Sequence, residues 1–425
     1  MRLESIIYNQ KADEIGDKHL SYALVGYFIA IAANSSLKTA FGLEESSAGT
    51  LISLITFGAM ALLIIRAMLI VLKRNSSLLI RLYAIFGFVF ILSFIINSID
   101  NRPLNLIINY NLFWNFCLWI PLGCIAASIK DVGVLYRTLV SFSFIISFFL
   151  LLTFFKNSGT TTENGSEKYD MTFGFAMALP TLLHFNEFKK RKVLVFLLLG
   201  ILEFGAMILY GNRGALLPII FYFVISFFHS NAKSHYKILS VLLVLFLGIL
   251  LFIFFDRIIL WLVSFMQSHA IEHSRTLNML IEDNLSDESG RDLLRTISFD
   301  MILEKPILGW GFGGEYYEIA YRYSGVMSGH IDQSFNSHNG ILQNLVNFGL
   351  LGGIISSYFC VRPLFGLRKM ASGELYDVYV ILCAIAIIPR LVSATGFFIN
   401  PDAAMILCLY FSKYRRSVKH IDNNL

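Results

Sequence analysis

Residues 49–72 read GTLISLITFGAMALLIIRAMLIVL, twenty-four positions interrupted by one charge, Arg66. At 1.5 Å per residue such a helix is about 36 Å long, enough to cross the roughly 30 Å hydrocarbon core of a bilayer. Charge arrives directly afterwards, at Lys73 and Arg74. Working outward, comparable apolar windows bounded by charge or by Gly, Asn and Ser clusters fall at 20–37, 78–96, 104–127, 134–155, 170–186, 193–210, 214–229, 237–262, 338–361, 375–393 and 397–412. The expected fold is therefore an all-α polytopic membrane protein with about twelve transmembrane helices.

Composition agrees. The 425 residues are 56% hydrophobic and 15% charged with a mean hydropathy of +0.66, against about 25% charged in soluble domains. The net charge of +5 does not point to nucleic acid, because the basic residues lie in short segments between apolar runs rather than on one soluble surface. They report topology instead. Lys73 and Arg74, Lys130 and Arg137, the run 189–192, Lys233 and Lys237, Arg362, Arg368 and Lys369, and the tail from Lys413 to Lys419 all fall on one side if the N-terminus is cytoplasmic. The excess of Lys and Arg marks that side as the inside, so both termini are expected there. The five cysteines have no disulfide or zinc spacing and read as small buried hydrophobes.

Three divisions follow: an N-terminal transmembrane bundle over 1–263, a large extracytoplasmic loop over 264–337, and C-terminal transmembrane helices with a tail over 338–425. The loop carries helical spacing over 292–303, with Leu293, Leu294, Ile297, Met301 and Ile302 on one side. Ser289 suits its start, and Pro306 with Gly309 its end.

Three constellations have residue types suited to chemistry. His338-Asn339 stands where the loop enters a membrane helix, and a histidine at that interface suits proton abstraction or serves as a helix cap beside Asn339. Gly211-Asn212-Arg213-Gly214 sets an arginine in a tight turn, where its planar fork matches a phosphate or simply reaches the interface. Ser289-Gly290-Arg291 opens the loop helix, with Arg295 one turn on; this is an anion site or a solvated charged face. Taken together they map to one membrane face and fit a diphosphate. No phosphate-binding Gly-rich loop ending in Lys-Ser/Thr, zinc-protease His pair or hydrolase serine elbow is present. Secondary candidates are Glu203, an intramembrane carboxylate expected to pair with an arginine or to act on substrate, and Arg390 near the outer end of its span. The loop tyrosines 316, 317, 321 and 323 are placed to stack on sugar or to anchor at the interface.

These residues resemble a family of membrane glycosyltransferases that comprises the O-antigen ligases and the O-antigen or capsule repeat-unit polymerases. The likeness rests on Gly211-Asn212-Arg213-Gly214-Ala215-Leu216-Leu217, on Ser289-Gly290-Arg291 followed by Glu304-Lys305-Pro306-Ile307-Leu308-Gly309-Trp310-Gly311, and on Ser337-His338-Asn339 through Gly352. It covers roughly 210–359. The resemblance implies a metal-independent, cofactor-free inverting transfer of a glycan from an undecaprenyl-diphosphate-linked oligosaccharide donor at the periplasmic face of the bacterial cytoplasmic membrane. The acceptor is a growing glycan or lipid A-core, and a chain-length regulator is an expected partner. Carried over, Arg213 and Arg291 hold the diphosphate and His338 takes the acceptor proton. Arg295, Asn339, Arg390 and Glu203 are expected around the substrate. Arg295 departs from the family's pattern, which often places Trp there. The expected activity is repeat-unit polymerase, then ligase. From another class comes a transporter or flippase of an anionic lipid or solute, although no repeated halves are visible.

Overall fold

The structure, a computed structural model, describes residues 2–43, 46–99, 110–157, 171–209, 213–229, 264, 291–327, 337–370, 372–392 and 396–414. Among these, about 91% is helical and there is no strand. The elements are α1 (Arg2–Phe41), α2 (Ser47–Ile99), a π-helical stretch (Tyr110–Trp119) running into α3 (Ile120–Ser128), α4 (Val132–Asn157), α5 (Met171–Arg191), α6 (Leu194–Leu209), α7 (Arg213–His229), α8 (Arg291–Glu304), α9 (Gly314–Met327), α10 (Gly340–Gly366), α11 (Glu374–Ala386), α12 (Ile388–Val392) and α13 (Pro401–Leu409). The expected span over 237–262 and, within the expected extracytoplasmic loop, residues 265–290 with Ser289 and residues 328–336 lie outside the described residues.

Five described helices have the length and composition to cross a membrane: Ala12–Phe41, Ser47–Ile99, Val132–Lys156, Gly340–Gly366 and Glu374–Val392. The second is 53 residues long, about 80 Å and far more than one crossing needs. Its helical backbone breaks at Asn75 (φ −152°, ψ 39°), next to Lys73 and Arg74. The two windows 49–72 and 78–96 are thus the two arms of one element broken at its charged middle. Elsewhere the arms are apolar on their outer sides, with Leu54, Leu62, Ile80 and Phe88 exposed, as lipid-facing residues are.

The chain divides into two compact units. The first comprises Met1–Tyr27, Gly58–Leu139 and Glu288–Leu425, and the second Phe28–Phe57 and Val140–Asp287. In the first, α3 and α13 pack closely because Gly123 faces Cys408 and Ala404; a small residue lets two helices approach without a hydrophobic driving force. A polar clasp joins the middle of α1, the break in α2 and the end of α3. Arg74 donates to the Asp17 carboxylate and to the Ser128 carbonyl, and Asp17 accepts from the backbone N–H groups of Lys130 and Asp131. Four cysteines are buried, but Cys117 is exposed, which corrects the expectation for that one. In the second unit α5 lies against α6 and α7.

Candidate functional site

The loop helix expected over 292–303 is α8, from Arg291 to Glu304. It buries Leu294, Ile297, Met301 and Ile302 in one cluster with Trp310, Ile319, Leu342 and Val346. The helix that opens at Arg291 is thereby packed on α10, the helix that opens just after His338. Arg295, one turn on, is half-buried.

The turn between α8 and α9 fixes α10 in an unusual shape. Gly349 has φ +69° and ψ −175° inside that helix, so the hydrogen bond from Leu350 N–H to Val346 O is lost. Both groups find partners in the turn: Leu350 N–H donates to Pro306 O (2.8 Å), and Trp310 N–H donates to Val346 O (2.9 Å). Gly311 N–H takes Asn347 O (3.1 Å). A buried backbone group left unpaired is costly, and the sequence Pro306-Ile307-Leu308-Gly309-Trp310-Gly311 supplies what the break exposes. Gly309 (φ +67°) approaches the same two carbonyls so closely that a Cβ would collide with them.

At the head of α10, His338 holds a left-handed backbone (φ 48°), a conformation that non-glycine residues adopt at some cost. The neighbouring geometry holds it. Asn339 caps the helix, its Oδ1 accepting from the N–H groups of Ile341 and Leu342 at 3.0 Å each, while its Nδ2 donates to Leu391 O (2.8 Å). Ser337 Oγ donates to Asn339 O, and Gly340 lies against Phe397 and the Arg390 carbonyl. His338 is half-buried.

Arg390 is buried and faces inward. Its Nη1 donates to the carbonyls of Ile385 and Ala386, and its Nη2 to Asp402 Oδ1 (2.9 Å). Most of its fork is therefore used in tying α12 to the end of α11 and to α13.

A polar stripe follows from the cap along α10: Asn339, Gln343 and Asn347, at spacing i, i+4, i+8. Against it stands Glu315, fully buried at the start of α9. Gln343 Nε2 donates to Glu315 Oε1 and to the Tyr316 hydroxyl (2.9 Å), and Gly313 N–H donates to Glu315 Oε2. Burial pushes the Glu315 carboxyl up to about 7 against the pull of these donors, Asn347 included. This group was missed at the level of sequence, although the Asn/Gln ladder at helical spacing was readable.

Glu203 and Arg213 belong to the second unit, and His338, Arg291, Arg295, Asn339 and Arg390 to the first. Arg213 is the first residue of α7. Glu203 is fully buried, and its partner is His184 rather than an arginine. His184 Nδ1 lies 3.0 Å from Glu203 Oε2, its Nε2 lies 2.9 Å from Ser143 Oγ, and Ser147 Oγ donates to Glu203 Oε1. Ser143 Oγ also donates to Val140 O. The pair joins α4, α5 and α6.

The first unit also holds a half-open cavity of about 920 Å³. Its walls are aromatic and aliphatic, among them Phe86, Trp119, Phe312, Phe348 and Phe359, with Asn75, Ser77, Arg81, Ser356 and Ser412 as polar exceptions. Small-ligand sites span roughly 300–1,000 Å³ and are mostly apolar; this one suits a hydrocarbon chain.

Residues 194–356 match the family model described as O-antigen ligase. The match runs from α6 into α10 and so includes Arg213, Arg291 and His338. A search of curated proteins found no match. Over that segment, which carries the arginine turn, the loop helix and the histidine at the head of α10, the chain is similar to the O-antigen ligase family, and the match supports the O-antigen ligase and polymerase family.

Proposed function

We propose that the protein is a repeat-unit polymerase, transferring a glycan from an undecaprenyl-diphosphate carrier to a sugar hydroxyl at the periplasmic face of the inner membrane. About twelve spans with both termini cytoplasmic go with this reading. The observation that carries it is His338, half-buried in a left-handed backbone at the capped head of α10, the helix on which the Arg291 helix packs. A sugar hydroxyl is a weak nucleophile and needs a base, for which an imidazole is matched in pKa. The lipid diphosphate leaves as a stable anion and needs fixed positive charge more than an acid. Arg213 and Arg291 supply that charge in planar, permanently ionised form. The bond formed joins acceptor oxygen to the anomeric carbon, the bond broken joins that carbon to the diphosphate oxygen, and the hydroxyl proton goes to His338.

The apolar cavity supports a donor whose tail is hydrocarbon. A lipid A-core ligase would use the same donor and the same step, so the two readings differ only in the acceptor. The test is a surface-glycan gel of a deletion strain with and without the gene restored. A single repeat persisting on the lipid core in the deletion supports the polymerase. Loss of all core-attached glycan, with long chains stranded on the carrier, overturns it in favour of the ligase.

A further inference from the structure

We propose that the apolar side of residues 299–311, the C-terminal half of α8 and the turn that follows, is immersed in the membrane leaflet where α10 begins. The inference uses the membrane-spanning character of α10 and not the transfer chemistry. One face of α8 is committed to the cluster with α9 and α10. On the opposite side Phe299 is 58% exposed and Leu303 77%, and they are continued by Ile307 at 80% and Leu308 at 57%. Residues 299, 303 and 307 repeat at i, i+4, i+8, one stripe while the helical path lasts. A contiguous exposed apolar patch of this kind marks a surface that something covers.

The depth of the turn identifies what covers it. Its hydrogen bonds do not reach the end of α10 but the stretch from Val346 to Leu350, about 9–15 Å along the helix from Gly340. With 27 residues, α10 is about 40 Å long, overshooting the hydrocarbon core by about 10 Å. Shared between the two ends, that overshoot puts the docking level about 4–10 Å inside the acyl region. At the same level α10 turns its own apolar side chains outward, with Leu350, Leu351, Ile354 and Ile355 exposed. The α8 patch adjoins the lipid-facing side of a spanning helix, and one leaflet covers both.

Irregular backbone survives at that depth only when protein satisfies it, and the buried side of the turn, 309–312, is satisfied in this way. The N–H groups of Gly309, Trp310 and Gly311 bond to Lys305, Val346 and Asn347 carbonyls. Phe312 N–H donates to Ser93 Oγ, and Trp310 O accepts from Asn97 Nδ2, both side chains belonging to α2. Thr296 is exposed nearer the N-terminus, and Asp300 is exposed about 60° round the helix from Leu303. A tilted interfacial helix keeps both at the water while its apolar end sinks.

The experiment places a nitroxide on Leu303→Cys and Ile307→Cys, with Thr296→Cys and Leu351→Cys as references. The full chain carries alanine at its five native cysteines and sits in phosphatidylethanolamine–phosphatidylglycerol vesicles. Positions 303 and 307 should collide freely with oxygen and several-fold less with a water-soluble nickel chelate, as Leu351→Cys does and Thr296→Cys does not. Nickel access at 303 and 307 equal to that at 296 would mean an aqueous loop and overturns the proposal. Low access for both reagents would mean cover by protein and overturns it too. Should the alanine background fail to fold, Leu303→Cys in the native sequence should react with an impermeant maleimide several-fold more slowly than Thr296→Cys; equal rates overturn the proposal.

Discussion

His338 combines two properties that seldom meet without a role: a titratable ring and a backbone that costs energy to hold. Replacing it by alanine leaves Asn339 to cap α10, so the fold should persist while transfer from a lipid-linked donor drops by about 10²–10⁴-fold. Wild-type transfer by purified His338→Ala would remove it from the mechanism. Arg291→Lys keeps the charge and loses the planar fork, so we expect about a tenfold to hundredfold loss in the same assay. Activity close to that of the wild type would mean that charge alone suffices. Glu315 gives a different signature. Its carboxyl is pushed up to about 7 from an ordinary 4.5 by burial, so the folded state keeps its proton while the unfolded state releases it. The favourable contribution is complete below about pH 4.5 and is lost progressively up to about pH 7, a fall of roughly 3 kcal/mol. Glu315→Gln cannot titrate and should flatten the dependence of melting temperature on pH across that window. An unchanged slope would show that another group sets it.

The elements carry the next prediction, because α10 and the turn at 306–311 form one unit. Gly349 requires φ +69°, and a Cβ there would overlap the Ile307 carbonyl. Gly349→Ala therefore meets a left-handed penalty and a collision together, and should destabilise the protein by about 2–4 kcal/mol. Thermal unfolding in detergent reads this directly, and a melting temperature equal to the wild type would mean that the break is not needed. Sequence made much of this architecture legible. The loop helix appeared at 292–303 because one side of it is continuously apolar, and the arms of α2 appeared because Lys73 and Arg74 separate one apolar run from the next. What stayed hidden depends on distant partners. A glycine in an apolar run looks the same whether it packs a helix or breaks one, and only the docked turn distinguishes them. Glu315 meets Gln343 across 28 positions, and Glu203 meets His184 across 19. An intramembrane carboxylate announces that it needs a partner; it does not say which.

At the scale of the whole molecule, each unit has its own polar provision inside an apolar frame. The second encloses the His184–Glu203 pair, which is hydrogen-bonded to Ser143 and Ser147 and reads as a helix clasp. The first joins the histidine helix, the loop helix and a large apolar cavity, an arrangement that suits chemistry on the head of a lipid whose tail is held nearby. Leu308 and Phe312 line the cavity and flank the turn that docks into α10, so the cavity wall and the bent helix share one segment. If the tail of the donor occupies this space, filling it should penalise long-chain donors only. Ile355 lines the cavity and is exposed, so Ile355→Trp adds bulk there without displacing a buried neighbour. We expect KM for an undecaprenyl-linked donor to rise about 10–200-fold, the effect of one misfitting apolar contact or a few, with kcat little changed. A donor carrying only two isoprenyl units ends short of the obstruction and should keep its KM. Equal losses for both donors would point to a distorted site, and no loss for either would mean that the tail lies elsewhere.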